Sequence, residues 1–183
     1  MRRLAAVAVI IAIVFFALGA AGCSSDKPKA QAAMDSGDEV MASAMLIYKD
    51  IEKKISQFFT DLNAGTITDP AVAKAKIDEV QDLVKKTETD SGSAKAQFEK
   101  ILDLKGVEDY AEYADIAIKT IDKMKQVDAI ILELVGMIET AVTTGQSPNV
   151  SRMLAINNDL QKVGGELQDL VKQAETLKSE KDL

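Results

Sequence analysis

One thiol, no imidazole and 29 carboxylates define the chemistry open to this chain. Ser-His-Asp and Cys-His nucleophiles need an imidazole to take up and return a proton, so neither can form. The same absence excludes haem ligation by His and the Glu-x-x-His di-metal sites of ferritin-like bundles. No G-x-x-x-x-G-K-[ST] run is present to cradle a phosphate. Carboxylates alone remain, and they lie among lysines on what read as polar helix faces. Asp109, Glu112 and Asp115 make an acidic stripe of this kind, expected to be solvated rather than to hold a cation. Residues 61–72 partly match a calcium loop. Thr66 stands where its turn glycine belongs and Val72 where its bidentate Glu belongs, so the stretch reads as one helix ending and another starting. The expectation is no catalytic, cofactor or metal site.

The thiol itself has a definite setting. Met1-Arg2-Arg3 is a basic start, residues 4–22 carry no charge, and Cys23 is followed by polar Ser24-Ser25-Asp26. A positive beginning, an apolar middle and small residues before a boundary are the parts of a secretory signal. The apolar run is at the short end for a spanning helix, which needs about 20 residues, so an uncleaved anchor is the competing reading. Leu18-Gly19-Ala20-Ala21-Gly22-Cys23 resembles the lipobox of bacterial lipoproteins, with Ala21, Gly22 and Cys23 fitting well and Ala20 standing where leucine is commoner. The resemblance covers this segment only. It implies cleavage after residue 22, acylation of Cys23 with chains such as palmitate, and an extracytoplasmic location on the cell membrane or outer membrane. Ser24 resembles an outer-membrane sorting signal. Two or more acyl chains hold a protein stably where one does so marginally. Asn149-Val150-Ser151 matches a glycosylation sequon, for which a bacterial lipoprotein has little use.

Both arginines leave with such a leader, so the remainder carries 20 basic against 29 acidic groups, a net of −9. That surface repels nucleic acid and anionic head groups, so membrane contact has to come from lipid on Cys23. The expected organisation is a signal peptide over 1–22, a lipidated cysteine and polar tether over 23–29, and one helical domain over 30–183.

Elements that position anything in this domain come from period, because apolar residues recur at alternating spacings of three and four. The first seam is Met41, Ala44, Tyr48, Ile51, Ile55, Phe58 and Leu62. The second runs Ile77, Val80, Val84, Thr87, Ser91, Ala94, Phe98 and Ile101. The third takes Tyr113, Ala117, Thr120, Met124, Val127, Ile131, Leu134, Ile138 and Ala141. The fourth takes Met153, Ile156, Leu160, Val163, Leu167, Leu170, Ala174 and Leu177. Asp69-Pro70 and Ser147-Pro148 read as cap-and-proline starts, and Gly65, Gly106 and Gly145 as stops. The spacing predicts helices over about 30–63, 70–103, 107–143 and 148–180, with a kink possible at Gly37 and a break at Asp90-Gly92 left open. Short connections make these an all-α, antiparallel, up-down-up-down four-helix bundle with coiled-coil-like seams.

The tether, the Gly106 turn and the C-terminus then share one end. The connections at 63–69 and 143–149 share the other, where an envelope protein partner would meet the molecule. Counting from the turns, Ala44, Thr87, Thr120 and Ala174 are expected at similar heights, as a layer of small seam residues. Close helix approach accounts for them; the alternative is a pocket for a small hydrophobic ligand inside the bundle. The functional expectation is a membrane-anchored envelope lipoprotein serving as a non-catalytic helical interaction or spacer module.

Overall fold

The computed structural model describes residues 26–183, so Cys23 and the leader lie outside the described residues. It is an antiparallel four-helix bundle: α1 Lys27–Asn63, α2 Pro70–Leu102, α3 Glu108–Thr144 and α4 Val150–Lys181. At 1.5 Å per residue, the 37 residues of α1 extend about 55 Å. Among the described residues no helix is long and apolar enough to cross a membrane.

Local chemistry sets the ends. Asp69 has an extended backbone and its carboxylate accepts the Ala71 N–H at 2.8 Å, while Pro70 takes the first helical position, where a missing N–H costs nothing. α3 stops at Gly145, whose φ of +68° places it in the left-handed region where a side chain would be strained. α4 departs from expectation. Asn149, not Ser147, is its cap, accepting the Arg152 N–H at 3.0 Å, and Pro148 falls just outside the helix. The tether also proves shorter, because Lys27, Pro28 and Lys29 already belong to α1. Proline is tolerated there, within the first turn, because the N–H groups of that turn have no intrahelical partner anyway.

Both helices with doubtful interiors are continuous. Residues 90–92 stay helical inside α2, since Ser91 is on the buried face and Ala94, Phe98 and Ile101 continue it. Gly37 lies in mid-helix, where a Cβ would come within 2.6 Å of Phe98 Cζ. The glycine admits that ring between α1 and α2.

Two apolar cores fill the bundle. The lower joins Ala30, Met34, Phe98, Ile101, Ile121 and Leu177 and so draws on all four helices. The upper joins residues such as Ile51, Phe58, Ile77, Val84, Val135 and Ile138 and draws on α1, α2 and α3 only. Neighbouring helices in the chain pack side by side, α1 and α3 meet across the diagonal, and α1 and α4 share no close backbone approach. α4 is therefore the shallowest element, with Ile156, Val163 and Leu177 buried and the other apolar residues of its seam only partly covered.

The second seam is buried at every expected position. In the third, Asp128 and Val135 are buried where Val127 and Leu134 were expected. A straight helix turns every 3.6 residues, so a strict seven-residue repeat drifts about 20° per heptad and the buried line moves to the next residue.

Candidate functional site

The described residue nearest Cys23 in the chain is Asp26, and it is tied into the base of the bundle. Its carboxylate receives the Lys29 ammonium at 2.8 Å and the Lys105 backbone N–H at 3.3 Å. Those two donors hold the Asp26 carboxyl below its ordinary range, the Lys29 hydrogen bond foremost. Lys181 meets Asp109 at 2.9 Å from the opposite side. The start of α1, the Gly106 turn and the chain's last residues thus enclose a cavity of about 230 Å³ whose walls include Lys27, Tyr110, Lys181 and Leu183.

All three tyrosines of the chain link α1 to α3. Tyr110 donates to Gln31 Oε1 at 2.8 Å and Tyr113 to Asp38 Oδ1 at 2.6 Å. Asp38 Oδ2 receives Lys178 from α4 at 2.7 Å, and that ammonium also lies 5.6 Å from the centre of the Tyr113 ring. Burial, followed by the Asp38 charge, pushes the Tyr113 hydroxyl well above its ordinary pKa. Tyr48, from α1, reaches Asp128 on α3.

Asp128 is the one charged side chain in the described core, at 1% exposure. Tyr48 Oη lies 2.6 Å and Thr87 Oγ1 2.9 Å from its Oδ1. Each hydroxyl also faces a helix carbonyl, Tyr48 that of Met124 at 3.0 Å and Thr87 that of Val84 at 2.7 Å. A hydroxyl has one proton to give. With Asp128 ionised, both hydroxyls serve the carboxylate; with Asp128 protonated, the acid donates to one of them and the carbonyls accept the hydroxyl protons. Both charge states are therefore accommodated at Oδ1. Oδ2, and the buried Ser91 Oγ one turn along α2 from Thr87, have no hydrogen-bond partner among the described residues.

Burial is the main influence on Asp128 and drives its pKa up. The hydroxyls of Tyr48 and Thr87 pull it down, and the nearby Glu88 charge adds to the rise. The cluster can store a proton, and its acid is sealed from solvent. Sequence reading passed over this residue as part of a polar face. The signal was present, since Asp128 stands four residues after Met124 and three before Ile131, on the line of the core.

The four small seam residues do not form one layer. Ser43 meets Asp90 and Thr87 meets Asp128, which places Ala44 and Thr87 near the same height. Thr120 lies eight residues below Asp128 on α3, about 12 Å away along the axis. Ala174 packs with the lower core, near the base. Antiparallel offsets differ from seam to seam, and counting from the turns hides this. Thr120 donates to its own helix at Ile116 O, 2.9 Å away.

The calcium-like stretch is a helix end, with Asp61 O accepting both the Thr66 N–H and its hydroxyl, at 3.0 and 2.9 Å. In the acidic stripe, Asp109 pairs with Lys181 while Glu112 and Asp115 face solvent. Among the described residues no group of three His, Cys, Asp or Glu side chains is placed to hold a metal ion. An open groove of about 360 Å³ runs between α3 and α4, edged by Lys123, Gln126, Ile130, Asp159, Lys162 and Glu166. Its walls mix both charge signs, and Lys123 bridges it to Glu166. Comparison with known proteins finds no family model, curated protein or solved structure that matches this chain.

Proposed function

We propose that this chain is a cell-envelope lipoprotein, held to its membrane by lipid on Cys23 and acting without catalysis as a rigid helical spacer or interaction module. The observation that carries the reading is the sequence Leu18-Gly19-Ala20-Ala21-Gly22-Cys23 after an uncharged run. The geometry of the domain supports it. Two residues lie between Cys23 and Asp26, a reach of at most about 11 Å over the three steps. A lipid there would keep the base of the bundle at the membrane surface and set the 64–69 and 145–149 connections roughly 50 Å out, one helix length away. The net charge of −9 on the remainder gives an anionic bilayer no reason to attract the protein surface, which leaves attachment to the lipid. An internal ligand draws no support from Thr87 and Thr120, whose hydroxyls are both engaged within the bundle.

Cell fractionation with in-cell crosslinking tests the proposal. The wild-type chain should sediment with membranes and resist high salt, and Cys23→Ala should abolish acylation and lose the crosslinks made at the membrane. Partner crosslinks should cluster on the outer connections. An unacylated wild-type chain that is freed from membranes by salt alone would overturn the reading.

A further inference from the structure

α4 is held unevenly along its length. Its lower half is clamped: Leu177 sits in the four-helix core with Ala174 and Leu183 packed against it, and Lys178 reaches across to Asp38 on α1. That Lys178–Asp38 pair is less than one-fifth exposed on both sides. The backbone of α4 approaches α3 alone, and its upper half lacks the lower half's place in the four-helix core. Its two buried residues, Ile156 and Val163, belong to neither apolar core. Its ion pair, Arg152 with Glu133, is solvent-exposed and so weakly held. Val150 and Leu154 in its first turns are 68% and 62% exposed, and the groove beside Val163 leaves the α3–α4 seam incompletely filled.

Between the halves stand Gly164 and Gly165. Glycine in a helix interior is disfavoured because it loses the most backbone freedom on folding. Neither glycine is required by packing, since a Cβ on either would meet nothing within 4 Å. Gly92 and Gly136 also have room, but each stands singly, in a helix buried along its whole length. Two adjacent weak positions thus coincide with the boundary between a clamped and a loosely seated half.

We propose that α4 is built as two units of different stability, and that residues 150–163 open from α3 as a unit, parting at Gly164-Gly165, while the rest of the bundle stays folded. Opening uncovers Ile130 and Val163 and leaves the base, with its links to α1, intact. Helical elements with few buried contacts open locally at low cost in this way.

Amide hydrogen exchange on the full-length chain in detergent tests the proposal. Amides of 154–163 should exchange at least tenfold faster than those of 168–177, with the step falling at the glycine pair. Gly164→Ala with Gly165→Ala should slow exchange in 154–163 by about 25-fold, roughly fivefold for each glycine. Gly92→Ala, the same chemical change in α2, should leave exchange in 154–163 unaltered. Uniform protection along α4, or a smooth gradient without a step, would overturn the proposal. So would an unchanged rate in the double alanine variant, or an equal slowing by Gly92→Ala, which would mean that the segment opens only when the whole bundle unfolds.

Discussion

Asp128 is a carboxylic acid set inside a hydrocarbon core, and its proton decides which way the Tyr48 and Thr87 hydroxyls turn. Burial raises its folded pKa above that of the unfolded chain, about 3.9. Between those two values the folded state holds a proton that the unfolded state has released. Its contribution to stability is therefore complete below the unfolded pKa and is lost as pH rises through the folded one. Asp128→Asn removes this loss. Urea midpoints of the two proteins should separate as pH rises from 4 to 8, with the asparagine variant the more stable at the upper end, by about 1.4 kcal/mol for each unit of upward shift. A separation that does not change with pH would count against a buried, raised carboxyl. Gly37 makes an opposite case. Alanine in a helix interior gains about 1 kcal/mol over glycine, but a Cβ here lies 2.6 Å from Phe98 Cζ. Overpacking of that kind costs about 1–3 kcal/mol, so Gly37→Ala should lower the thermal midpoint, and Phe98→Leu in the same chain should recover much of the loss.

At the scale of the element, the helices were legible from the sequence because period and punctuation agreed, and α2 shows this best. Its seam from Ile77 to Ile101 is buried throughout, and Asp69-Pro70 starts it as read. What the sequence hid has physical causes. Along α3 the buried line drifts from a strict heptad at alternate positions, so Asp128 and Val135 take the places expected of Val127 and Leu134, while Met124, Ile131 and Ile138 are buried as read. Two cap formers stand two residues apart before α4, and Asn149, not Ser147, immediately precedes the first helical turn and accepts the Arg152 N–H. Asn149→Ala should therefore cost about 1 kcal/mol and Ser147→Ala close to nothing, measured as separate shifts in the denaturation midpoint. Relative heights between helices were the least legible. They depend on offsets that only cross-helix pairs such as Thr87–Asp128 reveal, which is why Thr120 and Ala174 do not join Ala44 in one layer.

At the scale of the whole molecule, the bundle is a long body with a tied base and a plain outer end. Two of the three tyrosine links, those of Tyr110 and Tyr113, the Lys178–Asp38 pair and the four-helix lower core are concentrated toward the end where α1 begins. A molecule anchored by lipid at its base takes load there, and this distribution of contacts suits it. Of the candidate site, the lipobox-like segment is a local run of residue types that lies outside the described residues, whereas the buried acid depended on tertiary placement. The measurement that tests the account most directly is the intact mass of the chain purified from its own membranes, with fragmentation of its N-terminus. The account requires residues 1–22 to be absent and Cys23 to carry two or more acyl chains. A chain that retains residues 1–22 with a free Cys23 thiol would contradict it.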